Sequence, residues 1–354
     1  MHNKINVIAE TDALLKLSSN KEFLEGKVLK YILKNLSKIV LIMDESEFES
    51  QWNDVESPIH KFFDSYDVPR PVAIGGLTQI YSNPSLAYQL DPFAIWLLNK
   101  SDKDLNNFRD FYGVWAINTQ FLTDDYFSIK HADEYDKNEE IDGSKNNGWG
   151  NFLEQVDKPL PPINSLVLND RWIVSNTNEK TAKKWGFWGL HNLRDLFNEL
   201  LPQNLRIPFH ILIYCQHPNL DIETTDSIVK EFIQEVKNLR GYEIIIEFVY
   251  STARHKRGLY SNYFLFDAER GFNAFYDRNH KVLNGENDLT IEAYLNGPNV
   301  SGKNSNDIAR SKLSKIKEAC RTVIMKPKTD TKELDEIARV QTDCDDFFYN
   351  RLFS

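Results

Sequence analysis

Three consecutive stretches decide the fold: PFHILIYCQ (residues 208–216), TTDSIVKEFIQEVKNLRG (224–241) and YEIIIEFVYS (242–251). The first and last are short apolar runs rich in Ile, Phe, Tyr and Val, as strands buried on both faces require. Between them, apolar residues recur at helical spacing, opened by Thr and Asp and stopped by Gly241. A strand, a helix and a strand in succession give a parallel pair with a crossover.

Working outward, SLVLNDRWIVSN (165–176) reads as a strand with a polar interruption at Asn169 to Arg171, and GLHNLRDLFNELL (189–201) as an amphipathic helix stopped by Pro202. RGLYSNYFLFDA (257–268) reads as one further strand, so the order is β-α-β-α-β-β. Residues 276–307 read as turns around one short strand. ARSKLSKIKEACRTVIM (309–325) and TKELDEIARVQTDCDDFFYNRLF (331–353) read as closing helices.

The N-terminal part alternates in the same way. KINVIAETDALLKL (4–17) is an apolar run breaking into a helical pattern, EFLEGKVLKYILKNL (22–36) is helical, and KIVLIMDESEF (38–48) is a buried strand. Residues 57–92 are rich in proline and aromatic residues and read as loops with short elements. AIWLLN (94–99) and VWAINTQFL (114–122) are strands around SDKDLNNFRDFYG (101–113), a helix in which Ser101 can cap and Asp104 sits at the third helical position. The expected class is α/β, in two domains, each with a mainly parallel or mixed sheet and flanking helices. The boundary falls in the polar, acidic, glycine-punctuated stretch 131–151 and the following KPLPP (158–162). This division predicts domains over 1–130 and 163–354 with a linker over 131–162.

Composition narrows the function classes. The chain of 354 residues carries 42 Lys and Arg against 52 Asp and Glu, a formal charge of -10, so any nucleic-acid or anionic-membrane contact needs a local basic patch. Cys215, Cys320 and Cys344 are too few and too widely spaced for a disulfide framework or a zinc ribbon, which points to a reducing cytoplasm. No stretch approaches 18 consecutive apolar residues, and the N-terminus lacks the pattern of a secretory signal. Gly-x-Gly-x-x-Gly, Walker lysine, His-Glu-x-x-His and Gly-x-Ser-x-Gly motifs are all missing.

The densest chemical signal is TARHKRGLYSNYFLFDAERGFNAF (252–275), just beyond the strand 242–251, where ligands of open α/β sheets bind. His255, flanked by Arg254, Lys256 and Arg257, suits a phosphate diester: guanidinium forks grip two oxygens, and an imidazole attacks phosphorus or protonates a leaving group. The opposing view is a solvated basic turn. With SLVLNDRWIV, His255, Arg257, Ser261-Asn262-Tyr263 and Gly271-Phe272, residues 163–275 resemble one half of the phospholipase D-like fold, including its non-catalytic relatives at the C-termini of MIT-domain proteins. That resemblance implies catalysis by His255, with Arg254, Lys256, Arg257 and Asn262 contacting nucleic acid. The family's His-x-Lys is followed by an aspartate where Asn262 stands here, and only one copy of the motif is present, so this site requires a homodimer bringing two His255 together.

In the N-terminal half, Asp12 in VIAETDALLKL resembles the first metal ligand of PIN-domain nucleases. The resemblance implies Mg²⁺ or Mn²⁺ held by Asp12, Asp44, Glu47 and Asp102, since a hard cation needs carboxylates converging from several strand ends. Asp104, Asp124 and Asp125 are further candidates. The closing Thr-x-Asp of that family is Thr119-Gln120-Phe121 here. Together the two resemblances imply a protein that cleaves phosphodiesters or binds nucleic acid, of the kind found among effectors or sensors of bacterial antiviral systems. The rival expectation is a non-enzymatic interaction module with a protein partner. His210 and His217 are spaced for no common metal pair, and WGFWG (185–189) is better suited to capping a core than to stacking on a base.

Overall fold

The computed structural model describes residues 4–25, 28–122, 130–135, 148–154, 156, 159–174, 187–216, 218, 220–250, 257–269, 271–272, 287–295, 304–325, 340–342 and 350–353. It is an α/β protein built on two sheets. The first consists of β1 (Ile5–Ala9), β2 (Ser37–Leu41), β3 (Val72–Ala73), β4 (Ile95–Leu98) and β5 (Ala116–Asn118), in the order β3-β2-β1-β4-β5 and parallel throughout. Alternate residues of its strands face two layers. Val7, Ala9, Ile95 and Leu97 join one core cluster, whereas Ile8, Trp96 and Leu98 join another with Leu105 and Phe108 of the helix Asp102–Tyr112. Burial on both faces explains why these strands read as continuous apolar runs. The chain reverses its winding between β1 and β4, which makes the carboxyl ends of those two strands the switch point of the sheet.

The second sheet has the order β13-β9-β8-β7-β10-β11-β12-β6. Its centre is parallel: β7 (Ser165–Asn169), β8 (Phe209–Cys215) and β9 (Ile244–Tyr250), with the helices Trp188–Leu200 and Ile222–Lys237 as crossovers. β10 (Gly258–Ser261), β11 (Phe264–Ala268) and β12 (Asn287–Ala293) continue antiparallel from β7, and β6 (Lys130–Tyr135) and β13 (Val340–Thr342) close the two edges. The expected β-α-β-α-β-β order is present, with its last strand split into two.

Four local expectations differ from the structure. The stretch 131–162 contains β6 and the helix Trp149–Glu154, whose Trp149 and Phe152 pack on Phe266 at 5.5 and 5.4 Å between ring centroids; two aromatic residues three apart supply the burial that the polar composition concealed. SLVLNDRWIVSN ends as a strand at Asn169, because Asp170 turns the chain. RGLYSNYFLFDA is a hairpin, not one strand: the Ser261 hydroxyl accepts the N–H groups of Tyr263 and Phe264 and closes a two-residue turn. In the segment 331–353, residues 340–342 form a strand and Arg351–Phe353 a short turn of helix.

The tip of that hairpin joins the two sheets. The Tyr263 hydroxyl accepts from Trp115 N–H and donates to the Ala94 carbonyl, both at 3.0 Å. Asn262 donates to the Pro92 carbonyl at 2.7 Å, and Asn164 donates to the carbonyls of Tyr112 and Gly113. Gly113, at φ 58°, ends its helix in the left-handed region, and a Cβ there would lie 2.3 Å from the Ile163 carbonyl oxygen. Arg351 adds bonds to Asn164 Oδ1 (2.7 Å) and the Leu90 carbonyl (3.2 Å), with its guanidinium 3.9 Å from the Tyr88 ring centroid. These first-sheet residues precede β4 and β5, and Asn164 precedes β7. The sheets therefore meet at their amino edges, leaving each carboxyl edge a full strand away, roughly 15 Å at about 3.3 Å per residue.

Candidate functional site

Glu10 ends β1 and reaches across the switch point, where its Oε2 accepts the Asn99 N–H at 2.7 Å. The Tyr81 phenol lies beside the same carboxylate and is pushed far up by burial first, then by Glu10 and the charge of Asp104. Lys100 Nζ lies 4.3 Å from the Tyr81 ring centroid, within cation–π range. Lys16 Nζ donates to Asn99 Oδ1 at 2.7 Å, and Asn118 Nδ2, at the end of β5, donates to the Lys100 carbonyl at 2.6 Å. Two lysines, one carboxylate and one phenol thus converge where β1, β4 and β5 end. The strand order alone designates this as the ligand edge.

Asp12, Asp44 and Asp102 each follow a carboxyl end of the same sheet, after β1, β2 and β4, and each is exposed. Asp12 lies in the first turn of the helix Thr11–Lys16. Asp44 precedes the helix Glu45–Asn53 without capping it by its side chain; its carboxylate lies against Gly75, where a Cβ would come within 2.3 Å of Oδ1. Glu47 is one turn further along and accepts from Gln51 at 3.0 Å. Asp102 pairs with Arg109 at 3.4 Å. Ser101 caps its helix by accepting the Asp104 N–H, as the sequence predicts. Among the described residues no group of three or more His, Cys, Asp or Glu side chains stands close enough to hold a metal ion. The acidic residues share an edge without forming a cage, and Asp124 and Asp125 lie outside the described residues.

The second carboxyl edge centres on Asp170, which follows β7 and is 2% exposed. Its carboxylate accepts the N–H groups of Trp172 (3.0 Å) and Phe272 (2.8 Å) and lies 3.9 Å from Arg257 Nε. Burial pushes this carboxyl up, opposed by the two N–H groups and by Arg257. Gly271, at φ 95°, permits the approach, since a Cβ there would stand 2.6 Å from Asp170 Oδ2. Arg257 also donates to the Glu269 carbonyl at 2.6 Å, which ties the residue before β10 to the residue after β11. His255, Arg254 and Lys256 lie outside the described residues. Asn262 is at the opposite end of β10 from Arg257, fully buried in the joint, where its Oδ1 accepts from Asn164 and Ser165 and its Nδ2 donates to Pro92 and Asn164. The structure does not bring Asn262 to Arg257, nor Asp12 to either.

Sequence reasoning passed over Glu10, Tyr81 and Asp170. Glu10 is the first carboxylate after INVIA, nearer the strand end than Asp12, and that proximity was its available signal. Asp170 was hidden by extending the strand through it. No protein-family model matches the chain, and no curated protein is similar to it. No helix among the described residues is long and apolar enough to cross a membrane.

Proposed function

We propose that the protein binds and cleaves phosphodiesters of nucleic acid at the carboxyl edge of its first sheet, around Glu10. The observation that carries this reading is the all-parallel order β3-β2-β1-β4-β5, with acidic residues after β1, β2 and β4 and two lysines at the switch point. The donor chemistry suits Mg²⁺ or Mn²⁺, which take hard oxygen ligands and are commonly bound through one or two carboxylates together with substrate phosphates. Since among the described residues no three carboxylates of this edge stand close enough to form a cage, Glu10 or Asp12 would hold such an ion together with the substrate phosphates, and the ion would supply an activated water. Lys16 and Lys100 neutralise phosphate charge there. Tyr81, its phenol raised by burial, keeps its proton beside Glu10.

A second reading, a non-enzymatic interaction module, is favoured by Asn262. The residue standing where the phospholipase D-like pattern has an aspartate is spent on joining the sheets.

The test is cleavage of labelled single-stranded and duplex RNA and DNA with Mn²⁺, Mg²⁺ or EDTA, comparing wild type with Glu10→Gln, Asp12→Asn and His255→Ala. Metal-dependent cutting lost in either of the first two variants and kept in the third supports the first-sheet site. EDTA-resistant cutting lost in His255→Ala transfers the activity to the basic turn, and no cutting by wild type leaves the interaction module.

A further inference from the structure

A cavity of about 820 Å³ lies at the junction of the two sheets, away from both carboxyl edges. Its walls come from both units: Arg109 and Asp110 from the helix before β5, and the helix Trp149–Glu154, the segment 159–163, the end of the helix Trp188–Leu200 and residues 201–204 from the other side. The size falls within the range of sites that enclose a substantial ligand.

Leu153, Leu160, Leu200 and Phe264 make an apolar floor. Pro159, Pro161, Pro162 and Pro202 stand in its wall; with φ fixed and no N–H to donate, they keep the wall extended and prevent it from closing by strand pairing. Around the mouth stand the exposed carboxylates of Asp110, Glu154 and Glu199, none of which makes an ion pair among the described residues. Among the described residues Arg109 is the one cation in the lining, and it is turned to Asp102 and Asn106. An apolar floor under an acidic rim is complementary to an apolar group carried between cations.

We propose that this cavity is a docking site for a basic peptide segment of a partner protein, presenting an apolar side chain flanked by Lys or Arg. The apolar side chain enters between Leu160, Leu200 and Phe264, and the flanking cations face Asp110, Glu154 and Glu199. Because the cavity draws on both units, the docked segment spans their junction and stiffens it. The site is independent of the phosphodiester edge, so the failure of either leaves the other standing.

The experiment uses the full chain and a fluorescein-labelled peptide of sequence Lys-Leu-Leu-Lys-Leu-Leu-Lys, followed by anisotropy. Its counterpart with Glu in place of Lys is the charge control. Wild type is expected to bind the basic peptide saturably and the acidic one at least about tenfold more weakly. The combined variant Asp110→Lys, Glu154→Lys, Glu199→Lys is expected to lose about tenfold for the basic peptide and gain for the acidic one. Gln203→Trp, which fills the mouth and leaves the charge unchanged, is expected to weaken both, with thermal melts confirming that both variants are folded. Absence of saturable binding to wild type up to about 1 mM overturns the proposal, as does equal binding by wild type and the two folded variants.

Discussion

Tyr263 and Trp115, 148 residues apart in the chain, meet edge-to-face at 5.3 Å while the Tyr263 hydroxyl accepts the Trp115 N–H at 3.0 Å. The same oxygen donates to Ala94, so one side chain of the second sheet satisfies backbone groups ahead of two strands of the first. Tyr263→Phe removes only that oxygen and leaves a buried N–H and carbonyl without partners. The expected cost is about 2 kcal/mol in urea unfolding. A variant as stable as wild type would mean that water replaces the hydroxyl at the joint.

Asn262 makes the sharper case. Its amide donates to two oxygens and accepts from two N–H groups, a pattern that a carboxylate cannot reproduce. Asn262→Asp would restore the aspartate of the phospholipase D-like pattern and turn a carboxylate oxygen against the Pro92 carbonyl in a fully buried site. It is expected to destabilise by about 3–5 kcal/mol and to create no activity. A stable Asn262→Asp protein with new phosphodiesterase activity would reverse the assignment of this residue to the joint.

The contrast between Asn262 and Ser101 shows which parts of the structure are legible in the sequence. Ser101 and Asp104 act within one helix turn, and local chemistry of that kind follows from spacing alone. The strand–helix alternation is legible for the same reason, since apolar periodicity belongs to each element separately. Asn262 is polar, shortly after a basic run of the sequence and within a suggestive motif, yet its partners come from residues 92 and 164, and no local pattern announces them. Glu10 and Asp12 show a finer limit. Both follow β1, and choosing between them requires knowing that the helix begins at Thr11 and that Asn99 lies across the switch point.

Asp170 should give an inverted pH response. Its carboxyl is raised above the ordinary 3.8 because burial outweighs the N–H donors and Arg257. The native state then holds the proton more tightly than the unfolded chain does, so Asp170 opposes folding above its native pKa. That opposition fades as pH falls through the native value toward the unfolded one. The melting temperature of wild type relative to Asp170→Asn should therefore move in favour of wild type between pH 7.5 and pH 4.5. Asp170→Ala, which orphans the N–H groups of Trp172 and Phe272, is expected to cost about 2–4 kcal/mol at neutral pH. A gap between wild type and Asp170→Asn that moves the other way would show that Arg257 dominates the burial.

Gly75 separates structure from chemistry at the first carboxyl edge. A Cβ at this position would come within 2.3 Å of Asp44 Oδ1, while the backbone there lies outside the left-handed region that favours glycine. Alanine therefore fits the chain conformation, and because Asp44 is exposed its carboxylate can swing aside. Gly75→Ala should change stability by no more than about 1 kcal/mol. Its effect falls on the place of one oxygen. If Asp44 helps hold the ion, Gly75→Ala and Asp44→Asn should both lower the Mn²⁺-induced rise in melting temperature and the cutting rate, with alanine the milder of the two. If both variants respond to Mn²⁺ as wild type does while Glu10→Gln does not, the ion is held on the β1 side of the edge and Asp44 has no part in it.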